Sequence, residues 1–161
     1  MGWFAGMIVA WMCVVEGPAQ VDPLAVAKEL AGSRFKDYTY GSKGEHKVDC
    51  TQFTLAVIER VAELRSATLS KATKARVTIA DLSEEELARL QTLVKDKHEK
   101  IRGVQSALVG AGLGEAVDPA EARPGDFIQY WYQTKDGTWL GHAGIIEQIK
   151  DGKATIYGSH K

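Results

Sequence analysis

This chain of 161 residues has little of the chemistry that usually narrows a function. It holds only two cysteines, Cys13 and Cys50, too few for a disulfide framework or for paired cysteine zinc ligands. Twenty Lys and Arg against 21 Asp and Glu leave a formal charge of −1, so no excess of one sign draws in nucleic acid or an anionic membrane surface. The apolar run from Trp3 to Val15 falls short of the roughly 20 residues that a membrane-spanning helix needs. Internal repeats and low-complexity tracts are absent. What is present is 45% hydrophobic content on a length that supports one core and one domain.

The opening stretch MGWFAGMIVAWMCVVEGPAQ fits the apolar centre of a signal peptide, with Gly17 and Ala19 as small residues before a cleavage at Gln20. On that expectation residues 1–19 are a leader, residues 20–161 form the domain, and the protein is exported to the periplasm or cell envelope with no span in the mature chain. No Lys or Arg precedes the run, which leaves a buried N-terminal helix as the alternative. Export would remove Cys13 and leave Cys50 alone. An unpaired thiol in an oxidising compartment is either buried or used.

Along the chain, VDPLAVAKELAG carries Pro23 at a helix start, apolar positions at Leu24, Val26, Ala27 and Leu30, and Gly32 at the end. SRFKDYTYGSKGEHK reads as a loop. Asp49 then suits the N-cap of a helix whose apolar face runs Cys50, Phe53, Val57, Val61 and Leu64. Ser83 with Glu86 makes a capping-box pattern ahead of a second, longer helix through Leu87, Leu90, Val94, Ile101, Val104 and Leu108. DFIQYWYQ, TWLGHAGIIEQI and KATIYGSHK, separated by TKDG and KDGK, predict an antiparallel β-meander. Helices followed by a meander make the fold class α+β.

Cys50 at a helix N-terminus sits where free N–H groups and the helix dipole favour a thiolate. An activating imidazole must come from one of four histidines. His98 lies in the charged stretch KDKHEK and His46 in a loop, where solvation accounts for both. His142 interrupts an apolar strand between Gly141 and Ala143, small neighbours that permit close approach. A helix docking its Cys50 face on that strand would pair thiol and imidazole for attack on an amide carbonyl. His160 is the candidate third group. A two- or four-residue loop before the last strand would put His142 and His160 on opposite faces, and a three- or five-residue loop on the same face. The competing reading is that Cys50 and His142 are packing residues. A zinc site of Cys50, His142 and His160 has no close-spaced ligand pair in its favour. The YWY at 130–132 reads as core-filling aromatics.

DYTYGSKGEHKVDCTQF resembles the PY-x-[WY]-G-G…DCSG-[FL] signature of the NlpC/P60 cell-wall peptidases, and RPGDFIQYW…GHAGIIEQI resembles their PGDLVFF…HVGIYIG segment. The match runs from about residue 25 to 161. The resemblance implies a papain-like α+β fold with Cys50 as nucleophile, His142 as general base and His160 at the third catalytic position. It also implies Tyr38 and Asp49 beside the nucleophile, as a substrate-binding tyrosine and a helix-capping aspartate. The Cys50 backbone N–H would be an oxyanion donor. Thr51-Gln52 replaces the family's Ser-Gly, and Ser42 its second glycine. The expected function is a cysteine hydrolase cutting an amide of peptidoglycan stem peptides through an acyl-enzyme. It would act as a monomer, without metal or cofactor and without nucleic acid. The alternative is a catalytically weak domain that binds wall peptides or a partner protein in the same cleft. The chain ends one residue after His160, which leaves a domain truncated at its C-terminus as a further expectation.

Overall fold

The computed structural model describes the backbone of residues 9–14 and all of residues 21–160. Its elements in chain order are strand β1 (Val9–Val14), helix α1 (Pro23–Gly32), strands β2 (Thr39–Tyr40) and β3 (Lys47–Val48), and helix α2 (Cys50–Leu64). Three short helices follow, α3 (Lys71–Val77), α4 (Glu84–Ala88) and α5 (Leu90–Lys95), then a 3-10 turn (Glu99–Ile101) and α6 (Gly103–Gly110). The chain finishes with β4 (Glu115–Val117), β5 (Phe127–Gln133), β6 (Trp139–Lys150) and β7 (Lys153–Tyr157). The architecture is α+β, with helices packed on a five-stranded sheet of order β4-β1-β5-β6-β7 whose paired strands are all antiparallel.

Local sequence accounts for several of these elements. Asp22 caps α1 by accepting from the Leu24 N–H, Pro23 opens it, and Val26, Ala27 and Leu30 are buried. Asp49 caps α2 in a full capping box with Gln52, and the helix buries Cys50, Phe53, Val57 and Val61 while Leu64 in its last turn is exposed. β6 and β7 join through Asp151 and Gly152, both at positive φ (51° and 70°), as a two-residue turn matched to strand twist requires.

The segment after Ser83 departs from the expected long helix. It breaks at Lys97, whose φ is 51°, and at the 3-10 turn that His98 caps by accepting from the Lys100 N–H. The reason lies in packing: the broken path buries Val94 and Ile101 against Trp131, and the Trp131 indole donates to the Ile101 carbonyl at 3.2 Å. Leu87 is exposed instead of buried. Gly103 opens α6 because a Cβ there would lie 2.1 Å from the Arg76 carbonyl oxygen, so α6 touches the backbone at the end of α3.

Residues 9–14 form a strand, not the buried helix named as the alternative to a leader. β1 lies between β4 and β5, with Met12 opposite both Val117 and Ile128. The other residues of the 1–19 leader expectation, and its cleavage point, fall outside the described residues. Removing residues 1–19 would take an interior strand out of the sheet. Among the described residues no helix is long and apolar enough to cross a membrane.

The main core lies between α1, α2 and α6 and one sheet face, where Val57, Val61 and Leu108 meet Phe127, Ala143 and Ile145. The opposite face carries a smaller cluster of Ile128 and Ile146 with Tyr130 and Ile156 packed against it. Strand alternation therefore sets His142, between Gly141 and Ala143, on the side away from α2.

Candidate active site

Cys50 is the first residue of α2 and is 5% exposed. Its sulfur lies within reach of the Ala143 backbone N–H, and that contact, with the N–H groups of Thr51 and Cys50 itself, favours the thiolate. Burial outweighs them and, with the Asp49 charge, pushes the thiol pKa up. The contact differs from the one expected of a helix laying its thiol on the His142 face. α2 packs on the Ala143 face, and the thiol meets the strand at the peptide unit that joins His142 to Ala143.

His142 stands directly across from Tyr130 in the β5–β6 ladder, with ring centroids 5.5 Å apart in an edge arrangement. Burial, and secondarily the charge of His160, lowers its pKa to about 4, so the imidazole is a neutral base at pH 7. Its Nε2 is buried and has no hydrogen-bond partner among the described residues. Gly141 gives room for the ring of Trp131, which a Cβ there would meet at 2.9 Å.

His160 follows β7 and comes to His142, stacked on it with centroids 4.7 Å apart and planes at 27°. A two-residue turn alone would have put the two histidines on opposite faces. A β-bulge in β6 between Ile146 and Gln148 shifts the register by one, so that Ile146 faces Ile156 and Ile145 faces Tyr157. That extra residue, Glu147, reverses the parity and brings His160 to the His142 side. Glu147 is also tied to Lys28 of α1 by a 2.9 Å ion pair. The expected role of His160 changes, however. It lies face to face with His142, and its Nε2 donates to the Ile156 carbonyl at 3.2 Å, so it packs against the imidazole where an edge-on hydrogen bond was expected to orient it.

Asp49 takes the helix-capping position that the resemblance implies, and Tyr38 lines a different cavity from the one beside His142. Tyr38 packs edge-on against Phe35 and His46 and lines a separate cavity with Arg34, Lys47 and Gln52. The Asp49 carboxylate is occupied at the helix end, accepting from the Gln52 N–H and the Thr51 hydroxyl, each at 2.8 Å. Tyr40 stands where Tyr38 was expected. The parallel bridge of β2 and β3, with Thr39 opposite Lys47 and Tyr40 opposite Val48, folds the glycine-bearing loop back on itself. Ser159 then donates to the Val48 carbonyl at 2.7 Å and ties the His160 segment to the approach of α2.

A cavity of about 350 Å³ opens beside this cluster, walled by Tyr40, Tyr130, Tyr132, Leu140, Gly141, His142 and His160. Cys50 is not one of its walls, although a thiolate there would act on both Tyr40 and Tyr130. Burial is the first cause that raises the pKa of both phenols. The signal that marks the tyrosines is strand alternation in YWY: Trp131 turns into the core at 2% exposed, while Tyr130 and Tyr132 turn the other way. The thiol is thus buried at the strand backbone, and a neutral imidazole and three phenols bound the adjacent opening. Comparison of the chain with protein-family models, with curated proteins and with solved structures gives no match.

Proposed function

We propose that this protein is a cysteine hydrolase with a papain-like NlpC/P60 arrangement, acting outside the cytoplasm as a monomer on an amide bond of peptidoglycan stem peptides. The observation that carries the reading is the Cys50 sulfur at the Ala143 amide, one peptide unit from an imidazole that is neutral at pH 7 and lines an open cavity. Because the thiol is raised and the imidazole lowered, the resting pair is uncharged. His142 takes the thiol proton as sulfur bonds to the substrate carbonyl carbon. The tetrahedral intermediate then expels the amine, which leaves with that proton, and water attacks the thioester with His142 again as base. The Cys50 N–H and the phenols of Tyr40 and Tyr130 are the donors proposed for the oxyanion. Delivery that keeps residues 9–14 preserves the sheet.

The test is mass spectrometry of defined peptidoglycan fragments incubated with wild-type, Cys50→Ala and His142→Ala proteins. Amide cleavage by wild type, lost in both variants, is expected, and equal turnover by Cys50→Ala removes the nucleophile. One observation favours a second reading, a catalytically weak domain that binds wall peptides: the thiol is buried and its pKa is raised, while His160 stacks where a triad needs a hydrogen bond. Iodoacetamide separates the two. Burial makes alkylation of Cys50 slow on either reading, so the discriminator is its response to His142→Ala: a rate that the substitution leaves unchanged supports the binding domain.

A further inference from the structure

The walls of the Tyr130 cavity have a chemical character that reaches beyond the oxyanion and base roles proposed for Tyr40, Tyr130 and His142. Three phenols and Leu140 surround His142 and His160, and no Asp, Glu, Lys or Arg stands among the lining residues. The nearby cations Arg34 and Lys47 line the other cavity, of about 300 Å³, with Tyr38 and Gln52. A carboxylate entering the tyrosine cavity would lose water without gaining a cation. A wholly apolar group would fail for the opposite reason, because the phenol hydroxyls need hydrogen-bond partners. Tyr40 and Tyr130, raised by burial, keep their hydroxyl protons at neutral pH and both donate and accept. Ring faces beside hydroxyls suit a ligand with a C–H face and a polar rim. The volume of about 350 Å³ is near the small end of ligand sites, which run from about 300 to 1,000 Å³.

We propose that this cavity is a subsite for an uncharged, hydroxyl-bearing ring, a sugar, with Tyr132 and Leu140 as specificity-determining residues at its rim. Both are exposed, at 37% and 42%, and they face each other across β5 and β6. The consequence for catalysis rests on the hydrolase reading: the amide cleaved is the one joining a sugar-bearing acyl group to the peptide, not one whose acyl residue carries a free carboxylate.

The test is a titration of full-length Cys50→Ala protein, which separates binding from turnover. The probes are a disaccharide of N-acetylglucosamine and N-acetylmuramic acid with its carboxyl capped as an amide, and a γ-glutamyl dipeptide with a free α-carboxylate. Calorimetry should show the capped disaccharide binding at least about tenfold more tightly than the dipeptide. Adding Tyr132→Ala or Leu140→Ala should weaken it about tenfold, the loss of one well-packed contact worth about 1.4 kcal/mol, and Tyr132→Phe should keep most of the affinity. No binding of the disaccharide, tighter binding of the dipeptide, or indifference to Tyr132→Ala overturns the subsite. Wild-type protein given a disaccharide-peptide tests the hydrolase reading apart. Cleavage inside the stem overturns the inference and leaves a hydrolase, whereas no turnover with disaccharide binding intact removes hydrolysis and leaves the subsite.

Discussion

Acidification should weaken the fold through His142, and the size of the effect follows from its surroundings. The group falls from an ordinary 6.5 to about 4 because of burial first and the neighbouring His160 second. Tyr130, the other ring against it, carries no charge at neutral pH. With its folded pKa below its unfolded one, His142 binds a proton more readily in the unfolded chain. Its contribution is therefore complete above pH 6.5 and is lost as pH falls from 6.5 toward 4. At about 1.36 kcal/mol per pH unit the full difference is about 3 kcal/mol. His142 is only half-buried, and solvent screening reduces this to about 1–2 kcal/mol. Urea denaturation of wild type and His142→Gln at pH 7.5 and pH 4.5 isolates the effect, because the other titrating groups are common to both. Wild type should lose about 1–2 kcal/mol more than the variant between the two pH values. Parallel losses would refute the claim that His142 is held neutral by its site.

Other expectations follow from single contacts. Gly144→Ala places a Cβ 2.5 Å from an Ile156 methyl and 2.8 Å from the Tyr157 carbonyl oxygen; it should cost about 1–3 kcal/mol in thermal or urea unfolding and perturb the His160 imidazole signals in NMR spectra, and unchanged stability would contradict the register given for β7. Asp49→Ala removes the α2 cap and should cost about 1 kcal/mol by urea denaturation, an effect that Asp49→Asn should largely restore. A chain that starts at Gln20 leaves β4 without its β1 partner and gives β5 a bare edge, so it should unfold at lower urea than the full chain; equal midpoints would mean that β1 adds nothing to the sheet. At pH 7, wild-type Cys50 should react with iodoacetamide more slowly than free cysteine, since burial and a raised pKa both suppress thiolate; a rate above that of free cysteine would contradict the buried, protonated thiol.

How far residue order reaches can be judged from particular elements. The start of α2 was legible because a cap is a local bond: Asp49 reaches an N–H three residues away, and no tertiary contact is needed for it. The meander was legible for the same reason, since Asp151-Gly152 and the alternation of β5 and β6 are short-range signals. The helix after Ser83 was not, because its apolar spacing is satisfied equally by one long helix or by shorter pieces, and the indole of Trp131 decides between them. The strand at residues 9–14 was not legible either, since a short apolar run carries no information about its partners.

The candidate site divides along the same line. Sequence by itself determined that Cys50 would begin a capped helix and that His142 would sit in a strand between small neighbours. Tertiary structure alone decided that Tyr40 and not Tyr38 reaches the cavity, that the thiol meets the Ala143 amide, and that His160 stacks on His142. Each of those outcomes depends on register or on which face of the sheet receives a helix. One bulged residue in β6 is enough to invert every side chain beyond it, because strand side chains alternate with a period of two.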